Sequence, residues 1–255
     1  MEHRIGMMAG QELQGKVAFV TGAGRNIGRN IAMSLARGGA HVMVGVHKSV
    51  DLAQETVALI EQEGGSADWI AGDVTDQAQV LSMIANTVER FGKLDILVNN
   101  ASVRNQQAFA DITFAQWREI IAITLDGAFL CSQAALPHLI AAGGGTIINM
   151  GGETGHAGAP VRAHVVAAKA GLAGLTKALA HDLAEHGINV NCVVPGNIAT
   201  VRVGVDTRTH RHAPPLIGRT GQPDEIAAMV RFLCGPEARY MTGQSVHLNG
   251  GALMV

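Results

Sequence analysis

Seven short apolar runs, separated by longer segments whose apolar residues recur with a helical period, set the plan of this chain. The runs are KVAFVT (16–21), HVMVGV (41–46), ADWIAG (67–72), LDILVN (94–99), GTIINM (145–150), INVNCVV (188–194) and QSVHLN (244–249). Several lack the polar alternation of a strand with one wet face, so both of their faces must be covered. Helices are expected over roughly 26–38, 51–63, 76–91, 113–141, 162–186 and 223–235. Asp51 with Gln54 reads as a capping box, and Pro223 with Asp224 and Glu225 suits a first helical turn. Strands and helices in this alternation specify an α/β fold, a doubly wound parallel sheet of about seven strands in a single domain. The domain is expected over 14–255, behind an N-terminal extension of 1–13. Ligands of such sheets bind beyond the carboxyl ends of the strands. Any chemistry therefore belongs just after the apolar runs.

The turn after the first run is TGAGRNIGR. Glycines here let the backbone approach a pyrophosphate, and the helix that follows offers free N–H groups and a positive dipole end. Gly22, Arg25, Asn26, Ile27 and Gly28 are the candidate cradle. A dinucleotide site that selects NAD(H) places a carboxylate about 20 residues further on, for the ribose hydroxyls. This chain has His47 and Lys48 there and no carboxylate before Asp51. Arg25, His47 and Lys48 can surround a 2′-phosphate, which favours NADP(H) and leaves NAD(H) possible; a solvated turn is the plainer alternative.

Composition removes several other classes. A net charge of −2 without a basic stripe argues against nucleic acid. Cys131, Cys192 and Cys234 are scattered in apolar contexts, as expected of core thiols in a reducing cytoplasm, and no metal site is expected. The start, MEHRIGMMAGQELQG, lacks the apolar core of a signal peptide, and no apolar run approaches the length of a membrane span. A cytoplasmic protein with no membrane partner is the expectation.

GDVTD (72–76), LVNNAS (97–102), VVPGNIAT (193–200) and MTGQSVHLNGG (241–251), together with the glycine turn, resemble the short-chain dehydrogenase/reductase family from about Gly15 to Gly251. The resemblance implies an extended Rossmann fold and a homotetramer or homodimer. It implies adenine contacts from Asp73 and Val74, and contacts further along the cofactor from Asn99 and Ala101. It implies nicotinamide-side contacts from Pro195, Gly196, Ile198 and Thr200. Asn26 stands at the family's second glycine and Ser102 at the glycine of its NNAG. Asn is the non-glycine residue that best tolerates left-handed backbone.

The same resemblance implies a serine, a tyrosine, an asparagine and a lysine at the reacting end. Here those positions hold Gly152, Val165, Thr124 and Lys169, and the chain's one tyrosine, Tyr240, lies elsewhere. Lys169 is expected to hold the cofactor ribose, with catalysis a further role. His164 adjoins the vacant tyrosine position and is a candidate proton donor, or else a helix-start histidine. Arg162 shares the helical face of Val165 and Lys169 and suits an oxygen anion rather than proton transfer, or else lies on the surface. Glu153, Thr154 and His156 follow Gly152 on the loop that would line the pocket. Glycine at both 151 and 152 is expected to leave space. Arg104 and Arg162, if both face inward, favour an anionic small-molecule substrate such as a carboxylate. The resemblance implies a substrate lid over residues 205–221, with Arg208, His210, Arg211, His212, Pro214 and Pro215; a solvated basic loop is the first reading of these residues and an anion-attracting lid the second. The leading expectation is an NAD(P)(H)-dependent oxidoreductase of a carbonyl or secondary alcohol with atypical acid/base groups. A cofactor-binding protein without redox activity, or a non-redox lyase or isomerase, are the alternatives.

Overall fold

The computed structural model describes residues 10–201 and 214–255. Arg208, His210, Arg211 and His212 lie outside the described residues, as does most of the expected lid.

Seven strands form one parallel sheet: β1 (Val17–Thr21), β2 (His41–Val46), β3 (Ser66–Ala71), β4 (Ile96–Asn99), β5 (Gly145–Met150), β6 (Ile188–Pro195) and β7 (Ser245–Leu248). Their spatial order is β3-β2-β1-β4-β5-β6-β7. The chain reverses direction across the sheet between β1 and β4, which opens a crevice there. The helices are α1 (Asn26–Arg37), α2 (Val50–Gln62), α3 (Gln77–Phe91), α4 (Phe114–Ile121), α5 (Gly127–Ala141), the short α6 (Thr154–Ala157), α7 (Ala163–Leu183) and α8 (Pro223–Cys234). One apolar cluster joins the sheet to α1 and α8 through Ile31, Leu35, Ile226 and Val230. A second joins the opposite face to α3, α5 and α7 through Ile84, Leu139 and Leu183. Strands with both faces covered in this way explain the continuous apolar runs.

The expected doubly wound sheet in a single domain is what the chain forms. Details differ where local chemistry decides. Asp51 is not a cap: α2 starts after Ser49, and Asp51 sits inside its first turn, where a carboxylate suits the helix dipole. Capping boxes form instead at Thr113–Gln116 and Gln222–Glu225. The helix expected over 113–141 is continuous but contains a π turn at Ala122–Asp126, between α4 and α5. This 28-residue stretch is long and apolar enough to cross a membrane, contrary to expectation, yet its inner residues Cys131, Ala135 and Leu139 are buried in the fold. The boundary at residue 14 also shifts. Leu13 is buried, and Glu12 forms an ion pair of 2.5 Å with Arg231 of α8, so both belong to the body of the domain. All three cysteines are buried and unbridged, and burial pushes the Cys131 and Cys234 thiols up to about 12.

Candidate active site

The glycine turn lies at the carboxyl end of β1. Gly22 adopts φ +64°, and a Cβ there would stand 3.0 Å from Ala101 Cα. A Cβ on Gly28 would meet Gly22 O at 2.4 Å. The turn is thus bare backbone folded tightly against the start of α1, whose first N–H groups lack partners within the helix. Asn100 braces it, its Nδ2 donating to Thr21 O at 2.9 Å and Gly22 O at 3.0 Å. Thr21 Oγ1 in turn accepts from the backbone N–H of Asn100 and Ala101. Ile27 packs into the core below, and Arg25 is exposed at the mouth.

Asn26 does more than tolerate its left-handed φ of 51°. Its Nδ2 donates to Val201 O at 3.0 Å, and its Oδ1 accepts from Val201 N at 3.0 Å. This two-bond clasp joins the cofactor turn to the segment leaving β6. That segment is also tethered by Ala199 N to Gly221 O, at 2.8 Å, and by a strand-like bridge between Ile198 and Gly221.

A cavity of about 180 Å³ runs from the turn along the ends of β2 and β3, lined by Gly22, Val46, His47, Asp73, Val74 and Ala101 among others. His47 Nε2 lies 3.6 Å from Asp73 Oδ2, and Asp73 also accepts from Thr75. The Thr75 backbone N–H, then its hydroxyl, and the nearby His47 hold the Asp73 carboxyl below its usual range. Lys48 is exposed beside them. Pro195 is buried, whereas Gly196 and Thr200 are half-buried at the opposite lip. The Asn99 side chain is buried beneath the site. Its amide is buried, donating to Asn149 Oδ1 at 2.9 Å and Ser132 Oγ at 3.0 Å. Asn149 continues to Thr176 on α7 at 2.9 Å. Asn99 therefore ties β4, β5, α5 and α7 together beneath the site.

At the reacting end, Lys169 is buried on α7 and its Nζ donates to Met150 O at 2.6 Å. Desolvation, then the nearby Arg104 guanidinium, lower its pKa to about 7. One turn earlier, Val165 is 5% exposed and packs with Ile120 and Ala168, flanked by Val103 and Ile121. Thr124, in the π turn, is buried and shares a 3.1 Å hydrogen bond with Ser102 Oγ. The loop glycines differ from each other. A Cβ at Gly151 would collide with Cys192 Sγ at 2.7 Å, so this glycine serves packing and leaves no space. A Cβ at Gly152 would make ordinary van der Waals contact with Lys169 Cγ at 3.7 Å and with Lys169 Cδ and Thr154 Oγ1 at 3.9 Å, so a small side chain fits there.

His164 is fully buried in the first turn of α7, and neither ring nitrogen makes a hydrogen bond of good geometry. Burial pushes its pKa down, only partly offset by the Arg162 backbone. Arg162 precedes α7 at its N-cap position. The preceding Val161 has φ +53°, unusual for a β-branched residue, and its carbonyl accepts from Gln107 N at 2.8 Å. That bond pins the Arg162 loop to the loop carrying Arg104. Glu153 is buried, and its N–H donates to Pro195 O at 3.1 Å. His156 meets His247 of β7 edge-on at 4.6 Å, and burial lowers both pKa values. Tyr240 is fully exposed, between Arg239 and Met241, whose carbonyls accept from Asn189 at the amino end of β6. It stands at the opposite end of the sheet from the site. No group of three His, Cys, Asp or Glu residues that could hold a metal exists among the described residues.

Sequence reasoning missed the Asn26 clasp, the Ser102–Thr124 bond and the His156–His247 contact. Each joins residues remote in sequence, and only the doubled Asn of NNAS hinted that a brace was present.

Comparison with known proteins agrees with this geometry. Residues 22–252 match a family model described as enoyl-(acyl carrier protein) reductase. The chain is 39% identical to a 3-oxoacyl-[acyl-carrier-protein] reductase, FabG, of Staphylococcus aureus, over 94% of this chain and 98% of that protein. A dehydrogenase/reductase of Sinorhizobium meliloti superposes with a TM-score of 0.91 at 37% identity, covering 96% of this chain and 98% of the other. A short-chain dehydrogenase of Burkholderia cenocepacia in complex with NADP superposes with a TM-score of 0.89 at 36% identity, covering 94% and 99%. The glycine cradle, the sheet order and these relatives together place the chain in the short-chain dehydrogenase/reductase family.

Proposed function

We propose that this protein is an NADP(H)-preferring oxidoreductase that interconverts a carbonyl compound and a secondary alcohol, without the family's usual tyrosine, serine and asparagine. The observation that carries the reading is the intact cradle. A Cβ at Gly28 would collide with Gly22 O and one at Gly22 would press on Ala101 Cα, and a pyrophosphate needs such bare backbone at a helix N-terminus. The residues therefore fit a dinucleotide. Its adenosine end would lie along His47, Asp73 and Val74, and its nicotinamide end toward Pro195, Gly196, Ile198 and Thr200. The bound cofactor would supply or accept the hydride. Arg25 and Lys48 offer positive charge where a 2′-phosphate would sit, beside His47; the end of β2 carries no carboxylate of its own, and Asp73 comes from the end of β3. The NADP-bound relative supports the same choice.

The chain's own residues bind, orient and exclude water. Lys169 would reach the ribose. The apolar group of Val165, Val103 and Ile120 would form a dry wall beside the reacting carbon. Arg104 and Arg162 stand on two loops held together by the Gln107–Val161 bond, and they would receive an anionic substrate such as a keto acid. A homodimer or homotetramer in the cytoplasm completes the proposal, supported by the family and by exposed Phe114 and Phe129 along α4 and α5.

The test is titration with NADPH and NADH, read by nicotinamide fluorescence, followed by a screen of keto acids and 3-oxoacyl thioesters for cofactor oxidation. Tighter NADPH binding with turnover is the expected result. Binding without turnover of any carbonyl compound would point to a cofactor-binding protein without redox activity. No binding of either nucleotide would overturn the proposal.

A further inference from the structure

Ser102 and Thr124 both depart from the residues that the family resemblance implies, and they meet in one hydrogen bond of 3.1 Å. Ser102 follows β4, and Thr124 lies in the π turn between α4 and α5. One bond between two hydroxyls engages one of their two protons. Burial decides which. Thr124 is 2% exposed, and among the described residues its hydroxyl has no other partner. If Thr124 accepted, its own proton would be stranded away from water, the costly arrangement. Thr124 therefore donates, Ser102 Oγ accepts, and the proton of Ser102 is left over. Ser102 is half-buried and lines the cavity of about 180 Å³ that begins at the glycine turn, whereas Thr124 does not line it. The neighbouring Ala101 stands against that turn, its Cα 3.0 Å from a Cβ built on Gly22. The spare proton thus belongs to the cavity wall beside the bare backbone that suits a pyrophosphate.

We propose that Ser102 donates its hydroxyl proton in a hydrogen bond to a pyrophosphate oxygen of the bound dinucleotide, and that Thr124 is the positioning residue that holds it there. This rests on the dinucleotide-binding part of the reading above and deepens it. Glycine at position 102, as the resemblance implies, would have no donor to offer. The acceptor is anionic, which makes such a bond stronger than one between neutral groups. Accepting from Thr124 polarises the Ser102 hydroxyl in the same sense, because hydroxyls bonded in a chain strengthen one another. The Thr124 hydroxyl is already held by the π turn, so little ordering is left to the moment of binding. The pyrophosphate would then be gripped from both sides of the crevice between β1 and β4, by bare backbone on one side and by the Ser102 hydroxyl on the other.

The test is calorimetric titration with three probes. NADPH is the first. The second, 2′-phospho-ADP-ribose, keeps the pyrophosphate and lacks the nicotinamide. The third, 2′-AMP, lacks the pyrophosphate. Ser102→Ala should weaken the first two about 10-fold or more and leave 2′-AMP as in wild type. Thr124→Val, which keeps the shape and loses the hydroxyl, should weaken the same two about 3-fold, and Thr124→Ser should restore them. In the Ser102→Ala background Thr124→Val should add nothing. That double variant strands no buried hydroxyl, so it carries the measurement should Ser102→Ala fold poorly. Wild-type NADPH affinity in Ser102→Ala or in the double variant would overturn the proposal and leave the oxidoreductase reading standing. A loss shared equally by all three probes, or confined to NADPH, would also overturn it, since the hydroxyl would then act elsewhere than on the pyrophosphate. Additive losses from the two single changes would overturn the positioning role of Thr124. Wild-type protein that binds neither NADPH nor 2′-phospho-ADP-ribose would overturn both this proposal and the oxidoreductase reading.

Discussion

Asn26 gives the most discriminating perturbation, because two substitutions separate its two roles. Asn26→Gly keeps a residue at ease at φ 51° but deletes both hydrogen bonds to Val201. Asn26→Ala deletes the same bonds and adds left-handed strain. Each hydrogen bond is worth about 0.5–1.5 kcal/mol net, and because this pair is exposed the low end applies, so the clasp contributes roughly 1–2 kcal/mol. The alanine adds about 1 kcal/mol of strain. A chain of 255 residues loses about 2 °C of Tm per kcal/mol, from an unfolding entropy near 2.1 cal/mol/K per residue. Asn26→Gly should therefore melt about 2–4 °C lower, and Asn26→Ala about 2 °C lower still.

A local readout distinguishes the clasp from general loosening. The Val201 amide donates to Asn26 Oδ1, so its hydrogen exchange should accelerate about 10-fold in both variants. Amides of β1 and β4 should stay protected. If Asn26→Gly melted like wild type and Val201 exchanged at the wild-type rate, the clasp would hold nothing. If Asn26→Gly proved less stable than Asn26→Ala, the argument from backbone strain would be wrong.

Gly28→Ala drives a Cβ into Gly22 O, a backbone atom, and should cost about 1–3 kcal/mol of stability and most NADPH binding, measured by melting and fluorescence titration. His47→Asp places a carboxylate at the end of β2 and should shift the NADPH/NADH affinity ratio toward NADH by about 10-fold or more. Lys169→Met removes a buried ammonium whose pKa is lowered from 10.5 to about 7 by burial and then by Arg104. The unfolded chain binds more protons than the folded one between those two values, so wild-type stability should rise with pH across that window. Lys169→Met should flatten the rise, a difference visible in Tm at pH 7 and pH 9.

The sheet was legible because buried parallel strands must be apolar on both faces, and turn glycines cannot be replaced where backbones touch. The cofactor end was legible for the same reason. Its chemistry lives in the backbone, so Gly22 and Gly28 mark it in sequence. Asp51 was misread because capping depends on where the chain enters α2, and the helix begins one residue earlier than the sequence pattern suggested. The roles of Asn99 and Gly151 were hidden by their partners. Only the folded chain brings Asn149 and Ser132 to Asn99, or the Cys192 thiol against Gly151. The reacting end was the least legible, because its residues act through contacts between the loop after β4, α4 and α7 that only the folded chain makes.

Whether the reacting end is a relic or a rebuilt site turns on how its unusual residues meet. A polar group left behind by decay has no reason to find a partner, and an unsatisfied buried hydroxyl costs about 1–3 kcal/mol. Here Ser102 and Thr124, both at positions where the family resemblance implies something else, bond to each other. Val165 packs against Ile120 and Ala168, with Val103 and Ile121 beside them, where a larger ring is implied. Asn26, at a position where glycine is implied, binds Val201 twice. These three substitutions thus come with partners that satisfy them, and they leave Lys169 buried on Met150 O beside them. The double variant Val165→Tyr with Gly152→Ser tests the point. In a relic it restores the implied donors and should raise turnover of any reducible carbonyl from nothing. In a rebuilt site the ring must displace the Val103–Ile120 contact, and turnover of the protein's own substrate should fall about 10-fold or more, the effect of overpacking by a few kcal/mol.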